Sequence, residues 1–188
     1  MSVEALADAG ATRVGAVLDS ARIEALIEAS ALTALVDRAL NYLALGRRTR
    51  RELELRLRRV SIGKVAPERR LIAMALDRLE SRGVLSDSDV ARAEASARLR
   101  RGEAPARVRQ QLRRKGIDAR GAESALAEAI HADGFDEEAA CFKQAQKRWL
   151  SLSSLEPQIA KRRLAGFLLR RGFASGIVHG AVKRVMRA

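Results

Sequence analysis

Apolar residues recur three and four positions apart through most of the chain, with charged residues between them. One stretch shows the i, i+3, i+4, i+7, i+8 spacing of a single helix face in full: Ala122, Ala125, Leu126, Ala129 and Ile130. Runs of β-branched residues, which favour strands, are almost absent. Ala, Leu and Arg dominate the sequence, and all three favour helix. The pattern predicts an all-α protein.

The apolar pattern occurs three times along the chain. When Gly116 is aligned with Gly172, seven apolar positions fall into register: Val108 with Leu164, Leu112 with Leu168, Ile117 with Phe173, Ala122 with Val178, Ala125 with Ala181, Leu126 with Val182, and Ile130 with Met186. A looser copy lies upstream, with Leu53 and Leu57 at the positions of Val108 and Leu112. It has Ser61 in place of the glycine and an insertion of about five residues before Ile72, Ala75 and Leu76. Such self-similarity at a fixed period is typical of repeat architectures.

Each repeat is expected to contain three helices. The first helix of each repeat is predicted over 33–45, from the N-cap Asp87 to near Gly102, and over 136–149. A helix over 19–30 either extends or precedes the first of these. The predicted fold is therefore a tandem array of three three-helix repeats, 33–85, 86–133 and 134–188, after an N-terminal extension, 1–32, that is partly disordered. Because repeats contact only their neighbours, we expect an elongated, curved molecule.

Positive charge is concentrated in three clusters that follow the repeat. The net charge is +13, from 36 Lys plus Arg and 23 Asp plus Glu. Residues 46–60, 98–115 and 161–187 are strongly basic, whereas residues 1–32 are acidic. Basic clusters in register suit a long anionic partner, either nucleic acid or a filament of acidic subunits. The alternatives are solvated helix faces, charge inherited through repeat duplication, and a generally Arg-rich composition.

Catalytic, metal and cofactor motifs are not found in the sequence. His131 and His179 stand alone in different repeats, and phosphate-cradling glycine motifs are absent. Cys141, the one cysteine, is expected to be a small buried apolar residue. The aromatic residues Tyr42, Phe142, Trp149 and Phe167 fall within predicted helices, where core packing is their expected role. We expect no enzyme, no cofactor and no metal site.

Targeting and membrane signals are likewise not found. The N-terminal residues lack the basic and apolar regions of a secretory signal. No apolar run approaches the roughly 20 residues of a membrane span. We expect a cytoplasmic protein that does not bind membranes.

Four segments resemble the RecX regulatory proteins, bacterial modulators of the RecA recombinase. The segments are RALNYLALGRRTRRELELRLRR (38–59), LDRLESRGVLSDSDVA (76–91), RRGEAPARVRQQLRRKGI (100–117) and FLLRRGF (167–173). The matching motif positions are Glu52, Leu53, Leu57, Gly83, Leu85, Asp87, Gly102, Pro105, Val108, Leu112, Lys115, Gly116 and Ile117. Val90 departs from the family pattern, because an aromatic residue usually stands shortly after the aspartate of the turn.

The resemblance implies a negative regulator of RecA. Such proteins lie in the groove of the RecA–single-stranded-DNA filament and inhibit its ATPase, strand exchange and filament growth. We expect this chain to act there as a monomer. The residues expected to contact RecA or DNA are Arg47, Arg48, Arg50, Arg51, Arg98, Arg100, Arg101, Arg107, Arg109, Arg113, Arg114, Arg170 and Arg171. Two alternatives remain open: a nucleic-acid-binding protein that acts alone, and a helical adaptor whose basic clusters bind nothing.

Overall fold

The regular secondary structure is entirely α-helical in the part of the chain that the computed structural model describes, residues 19–62 and 65–187. The prediction of an all-α protein is therefore confirmed. The expectation of disorder for residues 1–18 lies outside the described residues. The helices are α1 Ser20–Ala44, α2 Arg50–Leu57, α3 Arg69–Ser81, α4 Asp87–Arg100, α5 Pro105–Arg114, α6 Ala119–Asp133, α7 Glu137–Trp149, α8 Pro157–Arg170 and α9 Ser175–Val185.

The first helix is continuous across the boundary expected between residues 32 and 33. It starts after Asp19, whose carboxylate caps it by accepting the N–H of Arg22 at 2.8 Å. The sequence between the two expected segments contains neither Gly nor Pro, so nothing interrupts the helical hydrogen bonding. Of the two alternatives, a separate preceding helix or one longer helix, the structure shows the one longer helix.

The first compact unit ends at Asp87 and contains α1, α2 and α3. Its core is built from large side chains with no more than 1% exposure: Leu35, Leu53, Leu57, Ile72, Leu76 and Leu79. The insertion of this repeat lies between α2 and α3, where Ile62 and Val65 exchange two backbone hydrogen bonds of 2.9 and 3.0 Å. Tyr42 is half-buried against this core, as the sequence predicts.

Asp87 serves a different helix from the one that the sequence suggests. The sequence predicts Asp87 as the N-cap of α4, but the structure places it as the first residue of α4. Its carboxylate accepts the backbone N–H of Arg50, the first residue of α2, at 2.7 Å. Thr49 and Glu52 form a capping box at the same helix end. The aspartate of the family's turn motif therefore helps to satisfy the N-terminal donors of α2.

The second compact unit begins at Ser88 and contains two cores. One belongs to α4, α5 and α6, and the other to α7, α8 and α9. The residues that the repeat alignment pairs are buried in these cores, from Val108 and Leu164 to Leu126 and Val182. The last aligned pair differs, because Ile130 is half-buried and Met186 is 37% exposed. The alignment of apolar positions therefore predicts the two cores correctly.

The smaller predictions for this unit also agree with the structure. Cys141 is fully buried in the α7–α9 core, and burial raises the pKa of its thiol to about 11. Phe142, Trp149 and Phe167 are half-buried against the same core. Within the described ranges, no helix combines the length and apolar character needed to cross a bilayer.

Candidate functional site

The thirteen arginines predicted to bind a partner fall into two groups. Seven of them use their side chains within the molecule: Arg48, Arg50, Arg98, Arg100, Arg107, Arg109 and Arg171. The other six expose their side chains and form no ion pair with any residue that the structure describes: Arg47, Arg51, Arg101, Arg113, Arg114 and Arg170. This division separates structural arginines from arginines that are available to a partner.

In the first unit, Arg50 connects α2 to α3. Its guanidinium pairs with Asp77 at 2.7 Å and with Glu80 at 2.5 Å. Burial alone would lower the pKa of Arg50, but its hydrogen bonds and ion pairs with these two carboxylates raise it above its ordinary value. Arg48 donates from Nε to the Tyr42 carbonyl at 3.3 Å. Both side chains therefore stabilise the repeat itself.

The connection between α4 and α5 is organised around Glu103. Its carboxylate lies 3.0 Å from Arg98 Nη1 and 3.4 Å from Arg107 Nε. Arg98 also pairs with Glu94 at 2.6 Å, and its side chain is only 19% exposed. Burial opposes the charge, yet hydrogen bonds to Glu103 and Glu94 raise the pKa of Arg98 above its ordinary value. A single acid thus engages two of the predicted binding residues.

Two further arginines in this repeat are paired with acids on α6. Arg109 forms a two-pronged ion pair with Glu123, with the longer contact at 3.1 Å. The hydrogen bond from Arg109 lowers the pKa of Glu123. Arg100 pairs with Asp133 at 3.4 Å. These pairs join the first and second helices of the repeat to its third helix.

At the end of α8, two adjacent arginines have different roles. Arg171 donates to the carbonyls of Arg101 and Gly102 at 3.3 and 3.4 Å, and its guanidinium lies 5.0 Å from the centre of the Phe167 ring. The side chain of Arg170 is exposed, although its carbonyl accepts a hydrogen bond from Arg107. Only Arg170 is therefore available at this helix end.

One exposed arginine recurs at the same position of every repeat. The spacing of 55 and 56 residues that aligns Leu57, Leu112 and Leu168 also aligns Arg59, Arg114 and Arg170. All three are exposed, and none has an ion pair to a described side chain. The selection of binding residues from the sequence missed Arg59, although the same alignment contained the signal that identifies it.

The recurring arginines are suited to binding anions. An arginine without an acidic neighbour keeps its five donors available for a phosphate or a carboxylate. Each of the three lies within two residues of the C-terminus of the second helix of its repeat, Leu57, Arg114 or Arg170. The negative end of a helix dipole also stabilises a cation there, so part of the preference for arginine is local.

Comparison with known proteins identifies the family. The family model described as RecX, third three-helix domain, matches residues 136–182, which span α7, α8 and most of α9. A regulatory protein RecX of Amycolatopsis mediterranei (strain U-32) is 32% identical over 148 residues, covering 78% of this chain and 80% of the relative. This chain belongs to the RecX family. A RecX of Deinococcus radiodurans is 33% identical over 145 residues, covering 77% of this chain and 65% of that protein.

Solved RecX structures share the fold. One crystal structure of a regulatory protein RecX matches with a TM-score of 0.76 at 21% identity, covering 95% of this chain and 85% of that one. The crystal structure of RecX from Lactobacillus salivarius matches with a TM-score of 0.68 at 23% identity, covering 85% and 99%. The curated relatives are named regulatory proteins, and a regulatory role in the RecX family follows for this chain.

Proposed function

We propose that this chain binds the RecA–single-stranded-DNA filament in its groove and restrains RecA by inhibiting its ATPase, strand exchange and filament growth. Membership of the RecX family supports this function. The single observation that carries the proposal is the recurrence in every repeat of an exposed arginine that forms no ion pair with any described residue, at Arg59, Arg114 and Arg170.

A filament matches this recurrence, because its own binding groups recur along its length. It presents equivalent acidic groups on successive subunits and phosphates at regular intervals along the DNA. A protein that carries one available arginine per repeat gains from such a partner, because the contacts add within one binding event. A globular partner with a single acidic patch would not require the position to recur.

The proposed contact residues are the exposed arginines and not the whole basic clusters. Arg47, Arg51, Arg101 and Arg113 join the three recurring arginines in this set. The paired arginines, such as Arg50 and Arg98, are assigned to stabilising the repeats, because releasing them would leave partly buried charges without a partner.

The proposal is tested by the ATPase of RecA on single-stranded DNA. We expect inhibition at stoichiometric ratios in low salt and loss of inhibition as salt is raised, because the contacts are electrostatic. Absence of inhibition in low salt would contradict the proposal.

A gel shift with single-stranded DNA, with and without RecA, separates the proposal from its alternative. Under the proposal, the filament is bound more tightly than the DNA alone. If bare DNA is bound as tightly as the filament, with micromolar or tighter affinity, a nucleic-acid-binding protein that acts alone is favoured instead. Arginine recognises phosphates and carboxylates with the same fork of donors, so this measurement and not the side-chain geometry decides between the two.

A further inference from the structure

Hydrogen bonds to backbone carbonyls join the second and third repeats. This junction consists of residues 101–107, which lead into α5, and residues 170–172, which end α8. The N–H of Ala104 donates to the carbonyl of Arg171 at 3.2 Å. In return, the guanidinium of Arg171 donates to the carbonyls of Arg101 and Gly102. Arg107 donates to the carbonyl of Arg170 at 2.8 Å.

The junction is also closely packed. Ala104 is fully buried and belongs to the core of α7, α8 and α9, although it directly precedes α5. A Cβ atom added to Gly172 would lie 2.7 Å from Cβ and 3.0 Å from the backbone nitrogen of Arg107. Real side-chain atoms do not approach this closely, so the two chain segments touch where Gly172 has no side chain.

Glu103 fixes the side chain that crosses the junction. Its side chain is 17% exposed, and its carboxylate pairs with both Arg107 and Arg98. Held in this way, Arg107 needs little further ordering to reach the Arg170 carbonyl. The motif RGEAPAR at 101–107 therefore forms an interface between repeats, and the charges of Arg98 and Arg107 are used within it.

We propose that Arg107 and Gly172 are positioning residues that hold the second and third repeats as one rigid body, so that Arg114 and Arg170 meet a partner at a fixed separation. This inference rests on the proposed function for the identity of the partner. Arg114 lies seven residues beyond Arg107 on α5, about 10 Å along the helix axis. Arg170 is part of the junction itself, where its carbonyl accepts from Arg107. Preorganised spacing strengthens binding because less freedom is lost on association.

Hydrogen exchange tests the junction without any partner. The N–H of Ala104 precedes α5 and donates only across the junction, to the Arg171 carbonyl. We expect Arg107→Ala to accelerate exchange of this amide by about tenfold or more in the full chain. Arg109→Ala is the matched control, since the two side chains are 40% and 39% exposed and each loses an ion pair. Unchanged exchange in Arg107→Ala, or equal acceleration in both variants, would overturn the rigid junction.

The binding consequence is tested with a variant that changes no charge. Gly172→Ala introduces a side chain at φ +88° and brings it into close contact with Arg107. Gly134→Ala also introduces a side chain at a positive φ, +55°, but the space around it is open. We expect Gly172→Ala to raise the concentration needed for half-maximal inhibition of the RecA ATPase by about three- to tenfold, with the same maximal inhibition. Gly134→Ala should leave that concentration unchanged and should lose less thermal stability, because it adds only the strained φ and no contact.

Two further readouts complete the test. Arg107→Lys keeps a donor at the junction and should restore slow exchange of the Ala104 amide and most of the affinity. If Gly172→Ala inhibits as well as the wild type while Ala104 exchanges fast, the positioning role is wrong and the proposed function stands. If the wild type itself fails to inhibit RecA, the proposed function is wrong, and the exchange data still decide whether the junction is rigid.

Discussion

The two ends of α5 carry arginines at similar density but use them differently. At the N-terminal end, Arg107 and the nearby Arg98 share the carboxylate of Glu103. At the C-terminal end, Arg113 and Arg114 are exposed and have no ion pair among the described residues. The sequence around both ends looks equally basic. The comparison teaches that the availability of a charge depends on the nearest acid and not on the local count of arginines.

The difference has a simple geometric cause. Glu103 is the one acid within residues 98–115, and it lies at the start of the connection into α5. A helix rises about 1.5 Å per residue, so Arg113 and Arg114 lie about 9 and 10.5 Å along the helix axis beyond Arg107, which Glu103 engages. Glu123 pairs with Arg109 in the middle of the helix. Among the described residues, the acids therefore leave only the arginines of the last turn of α5 without an ion pair.

The largest effect is expected when the recurring arginines lose their charge together. In the triple variant Arg59→Gln, Arg114→Gln and Arg170→Gln, each lost contact should cost about 1 kcal/mol of binding, which weakens binding to the RecA filament by roughly 100-fold in total. Glutamine is polar and favours helix, and all three positions are exposed, so the fold should be unchanged by circular dichroism. Filament affinity measured by fluorescence anisotropy of a labelled protein tests this.

A control with the same net charge sharpens this test. Arg38→Gln, Arg82→Gln and Lys143→Gln also remove three exposed cations, none of which has an ion pair within the described ranges or lies on the second helix of a repeat. This triple variant should bind within about threefold of the wild type, because only the general attraction changes. Equal losses in the two triple variants would show that net charge, and not the recurring position, determines binding.

The next largest effect is on the salt dependence of binding, which distinguishes arginines that contact the partner from arginines that position the repeats. Arg113→Gln with Arg114→Gln removes two available charges, so the slope of log affinity against log salt should decrease by about 1.4 if both contact phosphates of single-stranded DNA. Arg98→Gln with Arg107→Gln should weaken binding and leave the slope as in the wild type, since those charges are used within the molecule. Equal changes of slope in both variants would remove the distinction between the two ends of α5.

A smaller effect is expected in stability when Glu103 is neutralised. Glu103→Gln leaves Arg98, which is 19% exposed, and Arg107 without their shared carboxylate, and the free energy of unfolding should fall by about 1–3 kcal/mol. Urea unfolding followed by circular dichroism measures this. Glu138→Gln is a suitable control, because Glu138 is exposed and forms no ion pair with the described part of the chain. A loss no larger than that of the control would show that Glu103 contributes little to the junction.

The cores could be predicted from the sequence because they depend on local periodicity. The spacing from Leu112 to Leu168 aligns two sets of apolar residues, and the structure buries both. Helix continuity was less certain, since the pattern allowed either one or two helices before Gly46. The role of Asp87 could not be predicted, because its partner, the N–H of Arg50, is 37 residues away along the chain.

The candidate site could be predicted only in part. The neighbours of Arg98, at Glu94 and Glu103, lie four and five residues away and could have been recognised as helix and turn pairs. The partner of Arg50 at Glu80 and that of Arg109 at Glu123 are 30 and 14 residues distant. Such pairs depend on tertiary packing, which the charge pattern alone does not contain. The sequence therefore predicted the basic clusters but not which of their members are available.

The smallest effect concerns the pair in the middle of α5. The hydrogen bond from Arg109 lowers the pKa of Glu123, so the pair contributes stability above the ordinary pKa of a glutamate and loses it as the pH falls through the lowered value. In Glu123→Gln this contribution is absent at every pH. The urea midpoint of the wild type should therefore fall slightly further than that of the variant between pH 6 and acidic pH, measured at low salt. If the two curves were parallel, Arg109 would belong with Arg113 and Arg114 as an available charge, and the boundary between the two ends of α5 would move towards its N-terminus.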